Sequence, residues 1–166
     1  MIRKIGVALA ACAALVTAAT PATADQVTGG RYWQHGDGKL ELYRTGLCLD
    51  AALEEIGRNG GKVQLWTCGM GGDEQRWDAV QTDRGGQLLV NRLSGRCLDV
   101  ALEEIDLEGG RVQLWDCGWG GDEQLWQIDR HQGDVFIDSR ATRGRLGVRG
   151  QEDLRDGSPV GMWFKS

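Results

Sequence analysis

The chain has 166 residues, 41% hydrophobic and 26% charged, a globular composition rather than a disordered or collagen-like one. Its 19 basic side chains are outnumbered by 24 acidic ones and form no Lys/Arg-rich tract, which argues against nucleic acid and against an anionic membrane surface as partners. A count of 26 Gly and 7 Trp, against 2 each of Pro, Phe and Tyr, points to short strands and tight turns in one domain.

Arg3 and Lys4 open the chain, an apolar run extends from Ile5 to about Ala19, and Ala22-Thr23-Ala24 precedes Asp25 with small-x-small cleavage spacing. This predicts a secretory signal peptide over 1–24 and a mature extracellular domain over 25–166. The apolar run is short for a membrane span and no second one follows. Leu9-Ala10-Ala11-Cys12 resembles a lipoprotein box, but only a stub of apolar residues precedes it, so lipid anchoring at Cys12 is not expected. Loss of 1–24 removes Arg3 and Lys4 and leaves 17 basic against 24 acidic side chains, a formal charge of −7. It also leaves Cys48, Cys68, Cys97 and Cys117, an even set that in a secreted chain points to disulfides. Spacing alone leaves three connectivities open.

From Cys48 onward the chain repeats itself. Residues 48–77 and 97–126 align without a gap at an offset of 49, with 22 of 30 positions identical. A period of about 40–50 residues indicates a repeat architecture. A decayed third copy follows, in which Leu146 stands 20 residues after Trp126 as Cys97 does after Trp77, and 157–163 echoes 109–115. At the other end Arg31-Tyr32-Trp33 is similar to Gln75-Arg76-Trp77. Units are therefore expected to begin near Trp33, Trp77 and Trp126, to place those tryptophans in the core, and to complete a three-fold ring by Ser166. Within a unit, KVQLWTC alternates, and GQLLVNR and DVFIDS are strand-like. AALEEI is too short for a stable helix and is read as a loop or single turn. Three units of about four short strands predict an all-β, closed antiparallel barrel, closure removing the exposed sheet edges.

Cys-Leu-Asp, then Val-Gln-Leu-Trp, then Cys, then Gln-x-Trp, in frame at 48–77 and again at 97–126, resembles the ricin B-chain type lectin family. That resemblance, which spans essentially all of 31–166, implies a β-trefoil with three pseudo-repeats. It also implies disulfides Cys48–Cys68 and Cys97–Cys117, each inside one lobe, while lobe 3 has Leu146 and Lys165 in those places and must hold together by apolar packing. In such lectins the Asp takes two sugar hydroxyls, the Gln of Gln-Leu-Trp adds a bond, the aromatic stacks on the ring, an Asn binds a further hydroxyl, and the Gln of Gln-x-Trp steadies the Asp. Carried over, the candidate carbohydrate-binding residues are Asp50, Gln64, Trp66, Glu74 and Gln75 in lobe 1 and Asp99, Gln113, Trp115, Glu123 and Gln124 in lobe 2. Glu74 and Glu123 depart from the Asn of the family, and a carboxylate accepts hydrogen bonds but donates none. Galactose- or xylose-type sugars, or a polysaccharide, are the expected partners.

In lobe 3 Gly161 replaces the Gln and Gly147 or Val148 stands near the place of the Asp, so no sugar site is expected there. The pairs Glu54-Glu55 and Glu103-Glu104 read as solvated loop residues, since glycosidases set two carboxylates across a cleft. Gly-Gly-Asp-Glu at 71–74 and 120–123 lacks the ligand spacing of a calcium loop. His35 and His131 are isolated, so neither a catalytic set nor a metal or other cofactor is expected, and an enzyme or toxin would have to act as a partner in trans. The contrasting reading is a secreted protein-binding or inhibitor trefoil whose sugar sites have decayed.

Overall fold

A computed structural model describes residues 30–118, 121–150 and 153–164. The signal-peptide and Cys12 readings, and Lys165, lie outside these residues. Lobe 1 contains β1 (Tyr32–Gln34), β2 (Leu40–Leu42), β3 (Leu47–Ala51) and β4 (Gly61–Thr67). Lobe 2 contains β5 (Trp77–Gln81), β6 (Gln87–Asn91), β7 (Cys97–Val100) and β8 (Gly110–Trp115). Lobe 3 contains β9 (Trp126–His131), β10 (Asp134–Ser139), β11 (Gly144–Gly147), β12 (Ser158–Pro159) and β13 (Gly161–Phe164), the last two being one strand interrupted at Val160. All thirteen join one antiparallel sheet, which closes through the β10–β11 and β4–β8 pairings. The AALEEI segments contain no helix beyond a single 3-10 turn at Leu102–Glu104.

The three lobes lock head to tail in a ring. The Gly60 N–H donates to the Leu114 carbonyl at 2.8 Å, Gly109 to Met162 at 2.7 Å, and Gly157 to Leu65 at 2.9 Å. Gly161 sits where this ring is tightest, and a Cβ there would lie 2.6 Å from the Gly109 carbonyl oxygen. Inside, Leu49, Leu65, Leu98, Leu114, Leu146 and Met162 are fully buried. Each apolar pair faces across its hairpin, as Leu49↔Leu65, Leu98↔Leu114 and Leu146↔Met162.

Trp77 and Trp126 are core residues, as expected, but Trp33 is 46% exposed and Tyr32 takes its place at 0%. The strand register explains the exchange. Trp77 pairs with Asn91, Trp126 with Ser139, and Tyr32 with Leu42, and in each lobe the next pairing falls six residues later, at Cys97, Arg145 and Cys48. The first hairpins differ in length, and in a strand a slip of one residue sends the side chain to the other face. Lobe 3 turns on Gln132-Gly133, both at positive φ (52° and 92°), the two-residue turn that suits the strand twist. That hairpin is one residue shorter than the hairpin of lobe 2. The position equivalent to Cys48 and Cys97 is consequently Arg145, not Leu146, since Cys48↔Trp66, Cys97↔Trp115 and Arg145↔Trp163 are the matching pairs.

Both disulfides join the expected partners, Cys48–Cys68 and Cys97–Cys117, each with a Cα–Cα distance of 5.1 Å. Lobe 3 is not held by apolar packing alone. Arg145 forms a forked ion pair with Asp138 (Nε–Oδ1 2.8 Å, Nη2–Oδ2 3.2 Å) and lies 4.4 Å over the Phe136 ring. Paired carboxylate geometry of this kind is the stronger class of ionic hydrogen bond.

Candidate functional site

Asp50 lies mid-strand in β3 opposite Gln64 of β4, and Asp99 lies in β7 opposite Gln113 of β8. Alternation puts both members of each pair on one sheet face, away from the core leucines. Gln64 Nε2 donates to Asp50 Oδ1 at 3.0 Å, and Gln113 Nε2 to Asp99 Oδ1 at 2.8 Å. Gln75 Nε2 donates to Asp50 Oδ2 and to the Thr67 carbonyl, both at 3.3 Å. In lobe 2 the same residue, Gln124, is tied by its own amide, donating to Asp116 O at 3.0 Å and accepting from the Gly118 N–H at 3.1 Å.

The tryptophan two residues on completes the clamp. Trp77 Nε1 donates to the Leu49 carbonyl and Trp126 Nε1 to the Leu98 carbonyl, each at 3.0 Å, and those carbonyls directly precede Asp50 and Asp99. A Gln-x-Trp sequence therefore holds the aspartate strand by its backbone through Trp, and in lobe 1 grips the carboxylate itself through Gln.

Burial pushes both aspartates up in pKa. For Asp50 the Gln64 and Gln75 hydrogen bonds oppose this, while the Glu74 and Glu54 charges reinforce it. For Asp99 the Gln113 hydrogen bond opposes it most, the nearby Gln124 amide, turned to the Asp116 carbonyl, adds less, and the Glu123 and Glu103 charges reinforce it. These carboxylates accept only neutral amide N–H groups, so burial is incompletely compensated.

In lobe 1, Asp50, Gln64, Trp66 and Glu74 meet in one cavity of about 150 Å³. This is small beside the ~300–1,000 Å³ of an enclosed ligand site and suits one sugar ring with the rest of a ligand outside. Trp66 is 38% exposed, as a stacking wall must be. Gln75 stands behind Asp50 rather than in the wall. Sequence reasoning missed Leu53, Glu54 and Met70, which also line the cavity. The signal was available for the first two, in the loop that follows Cys-Leu-Asp and recurs as Leu102-Glu103.

The glutamate pairs prove to have divided roles. Glu55 Oε2 accepts from the Lys62 N–H and Glu104 Oε2 from the Arg111 N–H, both at 2.9 Å, pinning each loop to its strand. Glu74 and Glu123 each fold back on their own turn, accepting from Gly72 at 2.7 Å and Gly121 at 2.6 Å.

In lobe 3 the register places Gly147 opposite Gly161, so neither the Asp nor the Gln has a counterpart. The cavity there, about 630 Å³, is lined by Val148, Arg149, Arg155 and Trp163 among others. Among the described residues, the trio with the ligand types of a metal site is His35, Cys48 and Cys68, whose two sulfurs are spent on the disulfide. No described helix is long and apolar enough to cross a membrane.

The profile of the ricin-type beta-trefoil lectin domain matches residues 16–126. The chain belongs to this family. The match stops at the last residue of the second copy, so the decayed third lobe lies outside it. No curated protein matches the chain. Among solved structures, the designed three-fold symmetric protein ThreeFoil is similar at 29% identity and a TM-score of 0.68, covering 82% of this chain and 91% of its own. An exo-β-1,3-galactanase from Clostridium thermocellum is similar at 28% identity and a TM-score of 0.60, over 82% of this chain but only 28% of that one. The Macrolepiota procera ricin B-like lectin, solved with lactose, shares the fold at 20% identity and a TM-score of 0.59, covering 86% of this chain and 91% of its own. Membership of this lectin family supports carbohydrate binding, and the neighbours confirm an all-β trefoil.

Proposed function

We propose that this ricin-type lectin domain is secreted, with 1–24 removed and 25–166 mature, and that it binds carbohydrate without transforming it. Galactose- or xylose-type sugars, free or in a polysaccharide, occupy shallow sites in lobes 1 and 2. One observation carries the reading. In both lobes a buried aspartate has its carboxylate oriented by a cross-strand glutamine beside a partly exposed tryptophan. Such a site offers fixed acceptors to a hydroxyl edge and an apolar wall to the C–H face of a sugar. Asp50, Gln64, Trp66, Glu74 and Gln75 make the first site, and Asp99, Gln113, Trp115, Glu123 and Gln124 the second. Each site alone is expected to bind at about millimolar to tens of micromolar. The two together gain avidity on a polymer.

The test is a glycan and polysaccharide array probed with the oxidised secreted protein, with and without calcium. Trp66→Ala/Trp115→Ala should abolish binding while the melting temperature stays within a few degrees. N-terminal sequencing of the secreted product should begin at Asp25. A blank array from folded protein would overturn the lectin reading in favour of a protein-binding trefoil.

A further inference from the structure

Lobe 1 and lobe 2 present the same acidic side chains to their sites but neutralise them differently. In lobe 2, Arg111 reaches across the loop, donates to Gln113 Oε1 at 2.6 Å and pairs with Glu103. In lobe 1 the equivalent residue is Lys62, and its ammonium turns away to the Gly157 carbonyl of lobe 3 at 3.3 Å. Among the described residues, Glu54 is left without an ion pair. The lobe 1 cavity is therefore lined by three carboxylates, Asp50, Glu54 and Glu74, and by no Lys, Arg or His. Asp50 receives only neutral amide hydrogens, and Glu74 only a backbone N–H.

These carboxylates come from β3, the loop after it, and the 3-10 turn before β5, and they surround a space rather than a point. Their oxygens do not gather within 4.8 Å of one another, as a group holding a bare metal ion would. A positive charge carried on a ring-sized ligand fits this arrangement better than an ion does. It would relieve the mutual repulsion of the three carboxylates, and the electron-rich face of Trp66 adds to its attraction.

We infer that the lobe 1 site selects an amino sugar with a free, protonated amine over the same sugar N-acetylated or uncharged. This rests on the carbohydrate-binding reading and names the sugar class for one of its two sites. Lobe 2, with Glu103 paired to Arg111, lacks the preference.

Calorimetric titration of the oxidised secreted protein at pH 6 tests it, with the glucosamine trimer, the N-acetylglucosamine trimer, galactose, xylose and a linear aliphatic diamine as probes. The glucosamine trimer should bind at least ten-fold more tightly than its acetylated form, with the advantage shrinking several-fold in high salt. The advantage should persist in Trp115→Ala, vanish in Trp66→Ala, and fall at least three-fold in Glu54→Gln. Binding of neutral sugars with no gain from the amine would overturn this inference and leave the lectin reading standing. Equal binding of the diamine would also overturn it, by showing that charge alone is read. No binding of any sugar by folded protein would overturn both.

Discussion

Lobes 1 and 2 share 22 of 30 residues from the cysteine to the Gln-x-Trp tryptophan, yet their sites do not carry the same charge. The exchange of Lys62 for Arg111 decides this. An arginine presents a planar fork that spans Glu103, Glu104 and Gln113 at once, whereas the single ammonium of Lys62 finds a carbonyl in the next lobe. Lobe 3 is a sharper contrast, because it has kept the strand pairing while losing the disulfide, the aspartate and the glutamine. In a repeat protein the backbone ring is what all copies must preserve, and each copy can lose its site independently.

The largest effect should come from removing a staple that lobes 1 and 2 have and lobe 3 lacks. Cys48→Ser/Cys68→Ser should cost about 3 kcal/mol, seen as a melting temperature about 10 °C lower. Next comes the substitute that lobe 3 uses. Arg145→Ala removes the forked pair with the largely buried Asp138, and urea titration should show a loss of about 2–3 kcal/mol. An effect nearer zero would mean that apolar packing holds lobe 3 after all.

Acid pH should separate sugar binding from folding in lobes 1 and 2. Asp50 and Asp99 titrate above the ordinary 3.8 because they are buried, so their carboxylates take up protons before exposed ones do. Sugar affinity should begin to fall while the pH is still above that value, as the acceptors are lost. The sign for stability is opposite: a carboxyl whose pKa is raised by folding penalises the fold when ionised, and protonation relieves that penalty. Calorimetry and melting curves in parallel from pH 7 to pH 4 would check both, and affinity and melting temperature falling together would contradict the separation. The smallest effect is expected from exchanging the lobes' cations. Lys62→Arg should bring Glu54 a partner and lower the amino-sugar preference by a few-fold, read by the same trimer titrations.

Much of this was written in the repeat. The recurring tryptophans and the short Gly-bounded strands led to the barrel and the core positions of Trp77 and Trp126, and the family resemblance carried by the in-frame Gln-Leu-Trp and Gln-x-Trp elements led to the two bridges. The same logic failed at Trp33, where a tryptophan was an attractive anchor but its neighbour Tyr32 faces inward. It failed again at Leu146, one residue from the true counterpart of the cysteines. Both errors arise at the first hairpin of a lobe, whose length varies between copies. A repeat period records which residues recur, but only the hydrogen-bonded register says which face each one occupies.

Composition and periodicity were enough to point to a three-lobed all-β ring, because that follows from local alternation and from duplication within the chain, and the family resemblance supplied the candidate site residues. The destination of Lys62 depended on which lobe lies beside which, whereas Arg111 and Arg145 find their partners inside their own lobes, across a loop and across a hairpin. A long charged side chain can turn to any of several partners within reach, so only the folded structure could settle that Arg111 neutralises Glu103 while Lys62 leaves Glu54 without an ion pair among the described residues.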